Sequence, residues 1–248
     1  MPRNYISSVR LNSPVDKSSY LHGLPAVRHL AQEEELAFSG PVTFLVGENG
    51  TGKSTLLEAI AVAYGFNAEG GTRNFSFATS TTHSDLYRHL TLVKSAYPKD
   101  GFFLRAESFY NAASYIDELD SIPTSSPPIL ASYGGKSLHN QSHGESFLAL
   151  VKNRFGGDGI YLLDEPEAAL SPTRLMTLMA YIHALVQKNS QFIIATHSPI
   201  LMTYPGAQVY ELSGAGIALV DYRKTEHYQL TRRFLENPEK MLHYLLDE

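Results

Sequence analysis

The stretch GENGTGKST, Gly47 to Thr55, carries the densest chemistry in the chain. It fits G-x-x-x-x-G-K-[ST] in full and lies between a strand-like apolar run and a helix-like one. Glycines at 47, 50 and 52 let the backbone wrap closely around a phosphate group. The N–H groups of Asn49, Gly50, Thr51, Gly52, Lys53, Ser54 and Thr55 would then point inward at a helix N-terminus, a natural anion site. Lys53 is placed to neutralise the β- and γ-phosphates, and the Ser54 hydroxyl to coordinate Mg²⁺. Further on, IYLLDEP ends an apolar run in two acids. Asp164 suits a metal-linked carboxylate and Glu165 a base that polarises a water. QFIIATHSP ends another apolar run, with His197 at its tip as a hydrogen-bonding sensor of the γ-phosphate and attacking water. In QSHGESFLAL, Ser142-x-x-Glu145 precedes an apolar run and predicts a capping box at a helix start. GGKS at 134–137 lacks the first glycine and a preceding strand, so it is not a second phosphate loop.

Positioning these groups requires strands that end at one edge. Two β-rich runs open the chain, Ile6–Leu11 and Leu36–Val46, the second entering the glycine loop. STLLEAIAVAYGF reads as a buried helix stopped at Gly65. Residues 67–84 are rich in Gly, Ser and Thr and read as a long loop or flap, in which Arg73 is a candidate phosphate contact. Ser84 predicts a capped helix over DLYRHLTLVKSAY, and FFLRAESF a buried strand. Ser171-Pro172 starts a helix with Leu175, Leu178, Met179, Ile182 and Leu185 on its apolar face. Gln208–Leu212 and Ile217–Tyr222 predict a hairpin, and the last stretch is amphipathic and helical. Strand–helix alternation with buried apolar strands predicts a mostly parallel sheet covered on both faces, with its site at the C-terminal strand ends.

Composition narrows the classes. The 248 residues are 43% hydrophobic, enough for one large α/β core. A net charge of −5 provides no whole-protein basic field for nucleic acid, and TRRF at 231–234 is too short a basic cluster to supply one. The chain has no cysteine, which excludes disulfides, thiolate zinc sites and a cysteine nucleophile. No apolar window approaches the roughly 20 residues of a membrane span, and the N-terminus has no secretory h-region; the expectation is a cytoplasmic, single-domain protein.

Taken in order, these stretches resemble the ATP-binding cassette (ABC) superfamily of P-loop ATPases over almost the whole chain. GENGTGKST matches Walker A, YLLDEP matches Walker B with its catalytic glutamate, AALSP falls at the D-loop, and ATHSP resembles the switch-histidine strand. SHGES falls where the signature Leu-Ser-Gly-Gly-Gln belongs. More narrowly, the chain is similar to stand-alone bacterial ATPases labelled AAA family, and to SMC and recombination-repair heads without coiled coils. The resemblance implies an α/β P-loop NTPase fold of the ABC head type, with a mostly parallel sheet, a small antiparallel β part and a helical signature subregion at about 111–155. It implies one domain over 1–248, Mg²⁺ and ATP as ligands, and ATP hydrolysis to ADP and phosphate. It also implies a head-to-tail homodimer in which Lys53, Ser54, Asp164, Glu165 and His197 of one subunit face Ser142, Gly144 and Glu145 of the other across ATP. Several positions depart from the pattern. The first signature glycine is His143 and the D-loop aspartate is Ser171. The Q-loop glutamine has Glu107 as its nearest counterpart, a carboxylate able to hold a metal-bound water. Tyr20 is the candidate for adenine stacking. The process that the resemblance implies is DNA maintenance or anti-phage defence, with DNA or another protein as the expected partner. The alternatives are a transporter's nucleotide-binding subunit, with a membrane permease the less favoured partner, and a nucleotide-dependent scaffold or switch.

Overall fold

The computed structural model describes residues 4–33, 35–73, 84–107 and 142–246, with Phe109, Ser114, Asp117, Asp120 and Leu130 between the last two segments. The decoy GGKS, most of the polar flap and most of the 111–140 region lie outside the described residues.

A six-stranded sheet forms the centre. Its strands are β3 (Val42–Gly47), β5 (Asp100–Arg105), β6 (Gly159–Asp164), β7 (Gln191–Ala195), β8 (Gln208–Ser213) and β9 (Gly216–Leu219), in the order β5-β6-β7-β3-β8-β9. Every neighbouring pair is parallel except the β8–β9 hairpin. The central strands read as continuous apolar runs because both faces are covered. Side chains alternate between two cores. Leu45, Ile160, Leu162, Ile193 and Ala195 face one apolar cluster; Val46, Tyr161, Leu163, Phe192 and Ile194 face the other.

Helices α1 (Pro25–Gln32) and α2 (Lys53–Tyr64) supply the first cluster through Val27, Leu30, Leu56, Leu57 and Ile60. Helices α3 (His143–Arg154) and α4 (Pro172–Val186) supply the second through Phe147, Leu150, Val151, Leu175, Leu178 and Ile182. A smaller antiparallel sheet, β2 (Leu36–Ala37), β1 (Ile6–Leu11) and β4 (Leu90–Lys94), adds to the first cluster. The buried Gln191 side chain joins the two sheets. It accepts the Tyr5 N–H at 2.7 Å and the Ile6 N–H at 2.9 Å, and donates to the Ile6 carbonyl at 2.8 Å. The chain ends in α5 (Glu226–Glu236) and α6 (Pro238–Leu246), none of whose residues is buried.

Two expectations change. The helix expected after Ser84 is only a short 3-10 turn, Asp85–His89, capped by the Ser84 hydroxyl. It gives way to β4, because Leu90–Lys94 pairs in register with β1 and that ladder outweighs a weak local helix pattern. The strand at FFLRAESF stops at Arg105. Among the described residues, no helix is long and apolar enough to cross a membrane.

Candidate nucleotide site

The site lies beyond the C-terminal ends of β3, β6 and β7, three adjacent strands. The loop after β3 is shaped by glycine. Gly47, Gly50 and Gly52 have φ of 134°, 80° and 96°, values that side chains strain to reach. A Cβ on Gly47 would stand 2.1 Å from the Leu212 carbonyl oxygen, so the loop is seated tightly on β8. Gly52 caps α2, and Lys53 begins it. The Thr51 hydroxyl and the Lys53 ammonium both donate to the Glu48 carbonyl at 2.8 Å, folding the lysine back over the loop. Lys53 is only 4% exposed. Burial lowers its pKa, opposed by the carboxylates of Glu165, Asp164, Glu167 and Glu48.

Asp164 ends β6 and hydrogen-bonds with the Ser54 side chain. Burial pushes its carboxyl up to about 6 against the pull of Ser54 and Arg105. One of its oxygens, Oδ1, is buried with no hydrogen-bond partner among the described residues. A hydroxyl, a buried carboxylate and a spare oxygen fit Mg²⁺, which takes one or two protein ligands and completes its shell with water and phosphate.

Glu165 follows with φ 49°, a left-handed conformation uncommon for a residue with a side chain. Its N–H is tied to the Ala195 carbonyl at 2.9 Å, which locks the strained turn to β7. The Glu165 carboxylate then stands 3.5 Å from His197 Nε2. The His197 N–H donates to the Glu167 carboxylate. Burial and the Lys53 charge lower the His197 pKa, so the ring is neutral at neutral pH. Lys53, Ser54, Asp164, Glu165 and His197 are thus brought to one edge of the sheet.

Four participants escaped the sequence reading. Arg105 lies level with Asp164 across the β5–β6 ladder. Its guanidinium contacts Glu58 at 2.7 Å, Asp164 at 3.5 Å and Glu107 at 3.8 Å. Glu107, expected near the metal, has an 84% exposed side chain, and Arg105 is the group that reaches Asp164. Glu58 is the acid in an otherwise apolar helical stretch, which was its visible signal. Glu167 is the third acid of Asp-Glu-Pro-Glu, buried with its pKa raised by desolvation. His227 bonds to His197 from α5 and carried no sequence signal.

The signature segment is a structured helix start. Glu145 reaches back to accept the Ser142 N–H at 3.1 Å and the Ser142 hydroxyl at 2.7 Å. Arg174 of α4 adds a bond to the Ser142 hydroxyl at 3.3 Å and an ion pair with Glu145 at 3.2 Å. Gly144 is buried, and a Cβ there would meet Arg174 Nη1 at 2.5 Å and the Ala169 carbonyl at 3.0 Å. These partners all lie in the same subunit and orient the helix end.

Tyr20 is 68% exposed on a short turn, Tyr20–Gly23. The segment after it packs on the P-loop, with the Ala26 N–H donating to the Thr51 carbonyl at 3.4 Å. Arg73 does not reach the phosphate end. It lies against Gly65, past the far end of α2, about 17 Å along the helix axis from Lys53.

A glycine loop capping a helix after β3, a buried lysine and an acid pair two strands away at the end of β6 make the arrangement of a P-loop nucleotide site. With the histidine strand and the signature helix, the chain is similar to ABC-type P-loop ATPase domains. Residues 24–100 match a family described as "AAA domain", and residues 145–203 one described as "AAA domain, putative AbiEii toxin, Type IV TA system". The chain is 26% identical over 193 residues to the xylose import ATP-binding protein XylG of Moorella thermoacetica, covering 70% of this chain and 37% of that protein. It is 28% identical over 195 residues to the ribose import ATP-binding protein RbsA of Yersinia pestis, covering 71% and 36%. The matched part is thus just over a third of those curated relatives' length. Among solved structures, CbiO1 of Clostridium perfringens, part of the ABC transporter complex CbiONQ, superposes with a TM-score of 0.52 at 16% identity, over 98% of this chain and 99% of that one. That likeness is one of fold. These curated relatives are named for sugar import, so the expectation that a membrane permease is the less favoured partner has no support from them.

Proposed function

We propose that the chain binds Mg²⁺-ATP and hydrolyses it, and that ATP joins two copies head to tail. The observation that carries this is the grouping of Lys53, Asp164, Glu165 and His197 at the tips of three adjacent strands. Lys53 is held where four carboxylates retain its charge against burial, ready to transfer that charge to phosphate. Ser54 and Asp164 would hold Mg²⁺, which supplies positive charge to the phosphate oxygens as the terminal bond breaks. Glu165, fixed in its left-handed turn, accepts the proton of the attacking water. His197 hydrogen-bonds the γ-phosphate and holds the Glu165 carboxylate. Ser142, Gly144 and Glu145 form a helix start whose N–H groups and dipole would meet the partner's γ-phosphate. Glu107 stays in this proposal as a holder of metal-bound water, and Tyr20 as the base-stacking ring. The chain acts as one domain in the cytoplasm; the two apolar cores sharing one sheet support that unity.

The process served is proposed as DNA maintenance or defence, favoured by the family description matched over 145–203. A second reading, the nucleotide-binding subunit of an importer, is favoured by the functions of XylG and RbsA. Copurification with a membrane permease rather than with DNA would select it. The test of the core proposal is phosphate release by Glu165→Gln. Turnover falls by at least about 100-fold while ATP binding is kept, as expected on loss of a general base. Wild-type turnover in this variant refutes the assignment.

A further inference from the structure

We propose that His227, from helix α5, is a positioning residue that fixes His197 in the tautomer carrying its proton on Nε2, facing Glu165. This rests on the function proposed above.

The two rings are bonded through His197 Nδ1 and His227 Nε2, 3.0 Å apart. One proton lies between them, so one nitrogen donates and the other accepts. The opposite edge of His197 decides which. Its Nε2 is buried, makes no hydrogen bond among the described residues, and stands 3.5 Å from the Glu165 carboxylate, within reach of charge–dipole attraction. A bare Nε2 would set a lone pair against an anionic oxygen; an N–H there is attracted to it. His197 therefore carries its proton on Nε2, its Nδ1 accepts, and His227 donates from its own Nε2. The remaining nitrogen of His227, Nδ1, is buried with no hydrogen-bond partner among the described residues. A neutral histidine without such a partner divides between two tautomers, and only one presents a donor to Glu165 and the γ-phosphate.

The placement of His227 is specified by its surroundings. Thr225 is fully buried at the start of α5. Its hydroxyl is bonded to the Tyr222 carbonyl at 2.7 Å and accepts the Tyr228 N–H at 3.4 Å. The rest of α5 buries no residue, so the helix is held to the sheet mainly at this first turn. The same helix borders a cavity of about 560 Å³ beside Gly47, Glu48 and Thr51 of the P-loop. Helix α5 thus contributes a side chain to the catalytic edge although it lies far from the ATPase motifs in sequence.

The test uses the full chain with His227→Phe and His227→Gln. The glutamine amide can donate from the place of Nε2; phenylalanine cannot. His227→Phe should lower kcat for ATP by about 10-fold with KM within about 2-fold, the size seen when an outer partner of a working histidine is lost. His227→Gln should recover most of the rate. A wild-type kcat in His227→Phe, or an equal fall in both variants, overturns the proposal. Long-range ¹H–¹⁵N correlation of the histidine rings without nucleotide gives a readout independent of turnover. His197 should be the Nε2–H tautomer in the wild type and in His227→Gln, and mixed in His227→Phe; an Nδ1–H tautomer in the wild type overturns it. If the wild type releases no more phosphate than Lys53→Ala, the ATPase proposal falls, and the ring spectra alone decide the histidine pairing.

Discussion

Replacing Asp164 by asparagine should stabilise the nucleotide-free chain while removing its Mg²⁺-nucleotide binding. Burial raises the Asp164 carboxyl from 3.8 to about 6. In the unfolded chain it ionises at the lower value, so the folded form binds the extra proton between the two. Stability therefore falls as pH rises through that window and stays reduced above it. At pH 7 the ionised carboxylate costs the fold about 3 kcal/mol, from roughly 2.2 units at about 1.36 kcal/mol each. The same linkage leaves about half of that cost at pH 5 and little of it at pH 4. Asparagine keeps a carbonyl oxygen for Ser54 and removes the charge, while Arg105 retains Glu58 and Glu107. Chemical unfolding in the presence of a chelator should show a gain of about 2–3 kcal/mol at pH 7 that shrinks to under about 1 kcal/mol at pH 4. Loss of stability at pH 7, or a gain independent of pH, would refute the argument that a desolvated charge is held there for function. Nucleotide titration with Mg²⁺ should show the complementary loss, since an amide is a poor substitute for a carboxylate toward Mg²⁺.

Three further perturbations separate the parts of the site. Ser142→Arg should leave nucleotide binding by the monomer intact and abolish the ATP-dependent dimer of the Glu165→Gln background, read by light scattering; an unchanged dimer reduces Ser142 to a helix cap. Gly144→Ala pushes Arg174 aside and sets a methyl 3.0 Å from the Ala169 carbonyl. Its stability should move by no more than about 1 kcal/mol, because the exposed ion pair is worth little and alanine favours the helix, and the same scattering assay should show a weaker dimer. Arg105→Leu strands the largely buried Glu58, so an unfolding free energy lowered by about 2 kcal/mol is expected. It also removes a cation that lowers the Asp164 pKa, so Mg²⁺-ATP affinity should fall off at a higher pH than in the wild type.

The sequence alone determined the elements whose signal is local. Gly47, Gly50, Gly52, Lys53 and Ser54 are contiguous, and their chemistry depends on a loop only a few residues long. The strands around Asp164 and His197 were legible because burial on both faces writes an uninterrupted apolar run, and the turn to α4 because Pro172 suits only a helix start. The register between strands was not local. Arg105 meets Asp164 because β5 pairs with β6 one residue opposite another, which no spacing in the chain reveals. The β4 segment was misread as helix because its partner, β1, lies 80 residues earlier in the chain. His227 comes from a helix outside the motifs, and Gly144 lies where α3 meets Arg174 and Ala169. Short-range backbone geometry could be read from residue types; long-range pairing exists only once the sheet has brought distant residues within hydrogen-bond reach.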